Sequence, residues 1–535
     1  MVNLAWPFLL VAYSLLSLVL TAPILEDVCP NYNHHAKTRH EGNRSVGRYQ
    51  LPFQRPVKKC RNFYSHEVEE AIERLRSKIA DPDLFRLFEN AYPNTLDTMV
   101  KWKGFAHERD EEDAVLGETD EDLAFVITGD INAMWLRDSA NQILSYAPVL
   151  TASEDPNSLA ALFRGVINAH SRYIKYSPYC HAYQPFKESG IPTEVNGAYY
   201  VNKVNPPYNK EKTFDCKWEL DSLASFLQLS FEYYNATQDM GPFTKYGWLD
   251  TVEVILDAAD AMRVGTYNDA GKLVKPGYTM VGQTTRATET NSNDGHGNPV
   301  TGVTGMVRST FRPSDDATIF QFLIPSNMMF AASLQRALSI AIAMDTERTD
   351  QLALRMSSMA GEIQAGVAKY GVIPHPEFGA MYAYEVDGYG SQNLMDDANL
   401  PSLLSAPLTG YASPREEVYL NTRIFALGPR NPYWCHGPVF SGIGGPHLGP
   451  MKGWPLSSIV RVMTSQDTSG NEARQEIRAL LGSTDGLGLI HESINAHNEK
   501  DWSRHSIPLY VLLMKLKMRT SHVAYLLLTV SLVLV

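Results

Sequence analysis

The segment from Gly129 to Gln142, GDINAMWLRDSANQ, sets an indole, a guanidinium, two carboxylates and several carboxamides within one short stretch. Asp130 and Asn132 suit a turn or a helix N-cap, because their short side chains accept bonds from the first free amides of a helix. A helix is expected from about Ala133 toward Tyr146. On it Trp135, Asp138 and Gln142 share a face, with Arg137 beside them. A flat apolar ring next to a fork donor and a carboxylate suits a sugar, whose CH face stacks on indole and whose hydroxyls need paired donors and acceptors. The same residues also fit a buried Arg–Asp pair beside a core Trp, and at this level both readings stand.

Cleaving a glycosidic bond takes one carboxylic acid to protonate the leaving oxygen and a second carboxylate to activate water or attack carbon. Asp221 follows Trp218 and Glu219 and precedes the apolar Leu223, Phe226 and Leu227. A carboxyl desolvated against an indole has a raised pKa and stays protonated as an acid; the competing reading is a plain helix cap. Glu492 stands after the glycine-rich run 486–490, between His491 and Ser493, where a loop-to-helix junction is expected. There it can bind a water, or merely favour a helix start. Arg312, Ser314, Asp315 and Asp316 combine fork donor and acceptors as a polyol requires, and Asp396, Asp397 and Asn399 repeat the theme. Internal salt bridges and caps explain them equally well. His447, after Gly444-Gly445-Pro446, reads as an exposed loop donor.

Taken together these blocks resemble glycoside hydrolase family 125, the exo-α-1,6-mannosidases. The matching stretches are GDINAMWLRDSANQ, KWELDSL at 217–223, RPSDDATIFQFLIPSNM at 312–328, MDDANLPSLL at 395–404, GIGGPH at 442–447 and GLIHESI at 488–494, in the family's order. The resemblance implies an all-α fold, an (α/α)6 toroid whose long loops form the active-site face. It further implies release of nonreducing-terminal mannose from α-1,6-linked mannosides with inversion. Asp221 would be the general acid and Glu492 the general base. Trp135, Arg137, Asp138, Arg312, Asp315, Asp316, Asp397, Asn399 and His447 would hold the sugar, with no cofactor and no metal. The expected partner is a mannose-containing oligosaccharide, and the expected state is a monomer. Two alternatives are a glycosidase of the same toroid acting on another glycoside, and a noncatalytic mannan-binding or cell-wall protein.

The elements that must position these groups are mostly helical. Ser65 can cap a helix carrying Val68, Ile72, Leu75 and Ile79, and Asp81-Pro82 restarts a second through Leu84, Leu87 and Phe88. Asp155-Pro156 opens a third through Leu159 and Phe163. Further amphipathic patterns cover 220–234, 249–262, 325–344, 350–370, 415–427, 456–463 and 471–481. The acidic run 108–122 reads as a solvated loop, 266–305 as a loop folding back near the substrate mouth, and 377–392 as a loop or small hairpin.

The net charge of -12 argues against nucleic acid, whose phosphates reward clustered cations. Leu4 to Leu20 is an apolar run, read as a signal peptide or N-terminal anchor over 1–22, with an extension over 23–60 and a catalytic domain over 61–500. Either way the chain is expected to enter the secretory pathway, as the sequons at Asn43 and Asn235 agree. Five cysteines show no metal spacing. Cys29 and Cys60 are candidates to pin the extension, and Cys216 is expected to be buried and inert. From Asp501 to Val535 the family's closing helix is replaced by hydrophobic pieces separated by Lys515, Lys517 and Arg519. A divergent helix, a lipid-anchor or membrane-associating tail, and a translated noncoding stretch would each give this pattern; the last is favoured because 523–535 is short for a bilayer crossing.

Overall fold

A computed structural model describes residues 29–505. The N-terminal apolar run and the tail beyond His505 lie outside the described residues. Among those described, no helix is long and apolar enough to cross a membrane.

Eleven helices of nine or more residues carry the structure: α1 His66–Arg76, α2 Pro82–Ala91, α3 Leu136–Leu144, α4 Leu159–Tyr176, α5 Leu220–Thr237, α6 Trp248–Ala261, α7 Ile324–Met344, α8 Glu347–Gly366, α9 Glu417–Ala426, α10 Pro455–Met463 and α11 Asn471–Gly482. Their starts follow local chemistry. The Ser65 hydroxyl accepts from Val68 N at 3.3 Å, and the Asp81 carboxylate accepts from Asp83 N and Leu84 N at 2.9 and 3.0 Å. The third helix begins later than expected. Ser158 takes the cap, while Asp155 accepts instead from Asn157 N in the preceding turn.

The helix α7 is apolar nearly all round and accordingly lies inside, packed between α5 and α8. The helices α3 and α4 both pack on α5, α4 also on α6, and α6 on α8. Helix α11 packs on α10 and meets α2, so the end of the chain returns to its beginning. That junction is pinned by buried amides: Asn90 donates to Gly488 O and Gln54 to Leu487 O, each at 2.8 Å.

The fold is helix-rich rather than all-α. The acidic run expected as a loop is a hairpin of β1 Val100–Arg109 and β2 Val115–Val126. Its acids are divided by position along the strand, exposed toward the turn and buried toward the far end. Asp122 turns inward to Lys103 at 3.0 Å and Arg164 at 2.8 Å, while Glu118 and Asp120 stay in solvent. Small sheets brace the loops. Strands β3 Met134–Trp135, β4 Ala182–Tyr183 and β6 Thr213–Asp215 make one, and β5 Lys203–Asn205 pairs with β7 Thr279–Val281. Later come the hairpin β8 Trp434–His436 with β9 Ser441–Ile443, and a sheet of β10 Lys452–Gly453, β11 His491–Asn495 and β12 Asn498–His505. The segment set apart in sequence as a tail from Asp501 therefore starts as the second half of β12.

Cys29 is bonded to Cys60 and Cys180 to Cys216; Cys435 is a buried thiol. Cys216 is thus inert because it is bonded.

Candidate active site

Pairing of β3 with β4 moves the helix start to Leu136, three residues past the expected Ala133, since Met134 and Trp135 spend their backbone groups on the sheet. Asn132 then does not cap; its amide donates to Glu194 at 2.7 Å. Gln142 turns away into the core and donates to Ile127 O at 3.0 Å. Trp135, Arg137 and Asp138 remain together at the head of α3.

Arg137 is the hub. Its Nη1 lies 2.5 Å from Glu219 and 3.3 Å from Asp221, and its Nη2 lies 3.3 Å from Asp138 and 3.5 Å from Asp315. Four carboxylates share one buried guanidinium, so burial and mutual repulsion outweigh the cation for some of them. Burial raises Asp138, Asp221 and, most of all, Glu219, against the pull of Arg137. Asp315 goes the other way. Burial would raise it too, but the hydrogen bond from His181 and the charges of Lys217 and Arg137 hold it well below the usual carboxylate range.

Exposure separates these acids. The Asp221 side chain is 0 % exposed; it holds Arg137 and accepts from Ser326 Oγ at 3.2 Å. This carboxyl, on the first turn of α5, is covered by its partners Arg137 and Ser326. The side chains of Asp138 and Asp315 are 31 % and 28 % exposed. Asp315 sits at φ 66°, a left-handed conformation that a non-glycine residue holds only when its surroundings enforce it. Here the turn is closed by Arg312 N to Asp316 O at 2.7 Å and Asp315 N to Arg312 O at 2.9 Å.

The remaining candidates extend this cluster. Asp316 accepts from Ser314 at 2.8 Å and lies 3.4 Å from His447 Nδ1. His447 is half-buried rather than exposed, and the hydrogen bond with Asp316 raises its pKa, with the charges of Asp316, Asp315 and Glu492 acting in the same direction. Glu492 stands on β11, a strand where a loop-to-helix junction was expected; its Oε2 accepts from Ser503 Oγ of β12 at 2.9 Å. Arg312 pairs with buried Glu385 at 2.6 Å. Asp397 accepts from Asn399 N at 2.9 Å, and burial pushes it up to about 6. Asp396 serves the fold: it accepts from Leu403 N and Leu404 N at 2.8 and 2.9 Å. Arg312 Nη2 and Asp397 Oδ2 are buried without a hydrogen-bond partner, a costly state that hydroxyls of a bound polyol would relieve.

Sequence reasoning passed over His181, Lys217 and Glu219 as site residues. His181 crosses Trp135 edge-on at 6.0 Å and lies 3.5 Å from Asp315; Lys217 Nζ donates to Asp315 O at 3.0 Å. The Cys180–Cys216 bond joins the neighbours of both, holding His181 and Lys217 to one corner of the site. Glu219 was visible in the KWELDSL block, but nothing local marked His181. His181, Glu219 and Asp315 bring one potential ligand atom each within 4.8 Å. Arg137, 2.5 Å from Glu219 and 3.5 Å from Asp315, already supplies positive charge to two of the three.

Residues 81–507 match the sequence profile of the metal-independent α-mannosidases, glycoside hydrolase family 125. The chain is 42 % identical over 478 residues to the meiotically up-regulated gene 157 protein of Schizosaccharomyces pombe, covering 89 % of each chain. Its fold is similar to a metal-independent α-mannosidase of Streptococcus pneumoniae solved as a non-productive complex with α-1,6-mannobiose. The TM-score is 0.72 at 28 % identity, over 88 % of this chain and 100 % of that one.

Proposed function

The chain belongs to the metal-independent α-mannosidases of glycoside hydrolase family 125, and from that premise we propose that it releases nonreducing-terminal mannose from α-1,6-linked mannosides by single displacement with inversion. The observation that carries this reading is the cluster itself: a Trp, a fork cation and carboxylates of divergent pKa at one mouth, with Glu492 acting on His447 from the far strand. Pairs of carboxyls pushed apart in pKa are how acid and base roles are divided. In this reading the helices close into the (α/α)6 toroid, consistent with the contact of α11 with α2.

The proton donor expected at Asp221 is better placed at Asp315. Glu219 and Asp315 bring carboxylate oxygens within 4.8 Å of each other and their shifts have opposite sign, so a proton shared by the pair rests on Glu219. Asp315 is the member with exposed surface: it takes the proton held on Glu219, which is left as the carboxylate, and passes it to the leaving oxygen; Asp221 acts through Arg137, which it orients. Glu492, held by Ser503, takes the proton of the incoming water. Trp135, Arg137, Asp138, Arg312, Asp316, Asp397, Asn399 and His447 hold the terminal sugar. The two disulfides support a secretory-pathway location, where such bonds persist.

The test is hydrolysis of α-1,6-mannobiose followed by proton NMR. The first-formed product is expected to be β-mannose. An α-anomer would overturn single displacement, and tight binding without any release from folded protein would favour a noncatalytic mannan-binding role.

A further inference from the structure

Between β4 and β6 the chain makes a long excursion, residues 184–212, that helix packing does not require and that ends beside Trp135. We propose that this excursion is a second sugar-gripping surface, one that holds the units of a longer oligomannoside beyond the terminal mannose; the proposal rests on the hydrolase reading above.

Aromatic rings lead outward from the site on both sides of one small hollow. Trp135 packs on Phe214 with centroids 5.6 Å apart. Phe214 and Tyr199 line one shallow hollow with Glu194, Asn196 and Lys210. Tyr199 then meets Tyr200 and Tyr208 edge-on, each at 5.3 Å. The outermost rings are wet: Tyr200 is 61 % exposed, and Val195 and Val201 beside it are exposed as well. Tyr199, Tyr208 and Phe214 are half-buried behind Tyr200, and tyrosines offer sugars both a CH-stacking face and a hydroxyl.

The surface is also held rigid. Asn132, three residues before Trp135, donates to Glu194 at 2.7 Å, tying the excursion to the wall of the site. Buried Gln184 donates to Glu194 O at 2.7 Å and to Lys210 O at 3.1 Å, closing both ends. Asn196 donates to Phe214 O at 3.0 Å, and β5 is paired with β7. Lys210 donates to the Tyr200 hydroxyl at 2.8 Å and lies 5.0 Å over its ring, fixing that ring's orientation. Rings fixed before binding lose little entropy when a sugar arrives, which is what an extended subsite needs. Continuity with Trp135 selects the occupant: a neutral, linear oligosaccharide whose terminal unit already sits at Arg137.

The experiment compares kcat/KM for α-1,6-linked mannobiose, mannotriose and mannotetraose in the wild type, Tyr200→Ala and Tyr199→Leu, with mannotetraose affinity read in parallel by intrinsic fluorescence. The wild type is expected to gain about three- to tenfold from biose to tetraose, the worth of one or two aromatic contacts. Both variants are expected to lose that gain while turning over mannobiose at the wild-type rate. Equal efficiency on all three lengths in the wild type, or an equal loss on biose and tetraose in the variants, would overturn the proposal. Absence of turnover in the wild type defeats the hydrolase reading instead. The affinities still decide the surface in that case, since a tetraose bound no more weakly by the variants sinks it.

Discussion

The assignment of the proton to Asp315 rather than Asp221 can be separated experimentally by leaving group. Asp315→Asn keeps the size of the side chain, so Trp135 and His181 stay in place, but removes the transferable proton. A positioned general acid is worth about 10²–10⁴-fold, about 3–5 kcal/mol of barrier. The loss on α-1,6-mannobiose is therefore expected in that range. On 2,4-dinitrophenyl α-mannoside, whose leaving group departs without protonation, Asp315→Asn is expected to recover most of the wild-type rate. Asp221→Asn behaves otherwise. Arg137 retains Glu219 at 2.5 Å when Asp221 loses its charge, so the guanidinium shifts but is not released. A fall of about tenfold is expected, the same for both substrates, because geometry and not proton supply has changed.

The pH profiles make a second demand. The acid must be protonated, and burial holds the Glu219 member of the pair well above the usual carboxylate range. On its alkaline side wild-type kcat/KM is thus lost as pH rises through that raised value. Asp315→Asn should lack this alkaline limb. Should Asp221→Asn show the leaving-group rescue and lose the limb while Asp315→Asn does neither, the exposure argument is wrong and Asp221 is the donor.

Other consequences are more structural. Arg137→Met leaves Asp138, Glu219, Asp221 and Asp315 without their shared cation, and urea unfolding is expected to show a deficit of about 3–5 kcal/mol. That deficit should shrink as pH falls, since protonated carboxyls need no counter-charge. Replacing both Cys180 and Cys216 by Ser opens a loop of 36 residues, worth about 4 kcal/mol in the chain-entropy estimate. The melting temperature is expected to drop and kcat with it, because His181 and Lys217 lose their tether; wild-type kcat at low temperature would refute the positioning part. His447 has a raised pKa through Asp316, so its contribution is full below the unfolded value of about 6.5 and lost as pH rises through the folded one. Denaturation of wild type and His447→Gln should accordingly differ in acid and converge in alkali.

Sequence made the helices legible and the strands illegible for one physical reason. A cap such as Ser65 or Asp81 acts on amides two or three residues away, within the reach of local reading. A two-residue strand such as Met134–Trp135 exists only because Ala182 and Tyr183 lie beside it, and nothing in its own residues says so. Glu492 was misplaced on the same account, because the glycines before it signal a break while its pairing partner lies in the following residues, 498–505. The acidic run 108–122 was read by charge alone, which hid the strand pairing that carries Asp122 into the buried end of the hairpin. In the site, residue types identified Arg137, Asp315 and Asp316, but exposure is not a local property. Whether Asp221 or Asp315 faces the opening depends on which side of Arg137 each stands.

The site is shared between two kinds of support, and this bears on how its two roles are kept apart. The proposed donor side gathers on helix starts and one turn: Arg137 and Asp138 on α3, Asp221 on α5 with Glu219 just before that helix, and Asp315 in the turn 312–316. Its carboxylates are buried together, so their pKa values diverge. The base side is built on a sheet at the end of the chain. Glu492 lies on the middle strand, β11, between β10 and β12, and Ser503 supplies its hydrogen bond. His491 on the same strand stacks on Trp502 of β12 at 4.4 Å, and Lys452 of β10 pairs with Asp501. The orientation of Glu492 therefore depends on residues 501–503, within the last residues that the family profile matches. These residues make strand contacts, so the Glu492 carboxylate is fixed by backbone pairing and one hydroxyl. The separation of the two sides onto different supports thus lets one group of carboxylates crowd around Arg137 while Glu492 stands on a strand with a neutral hydroxyl as its side-chain partner.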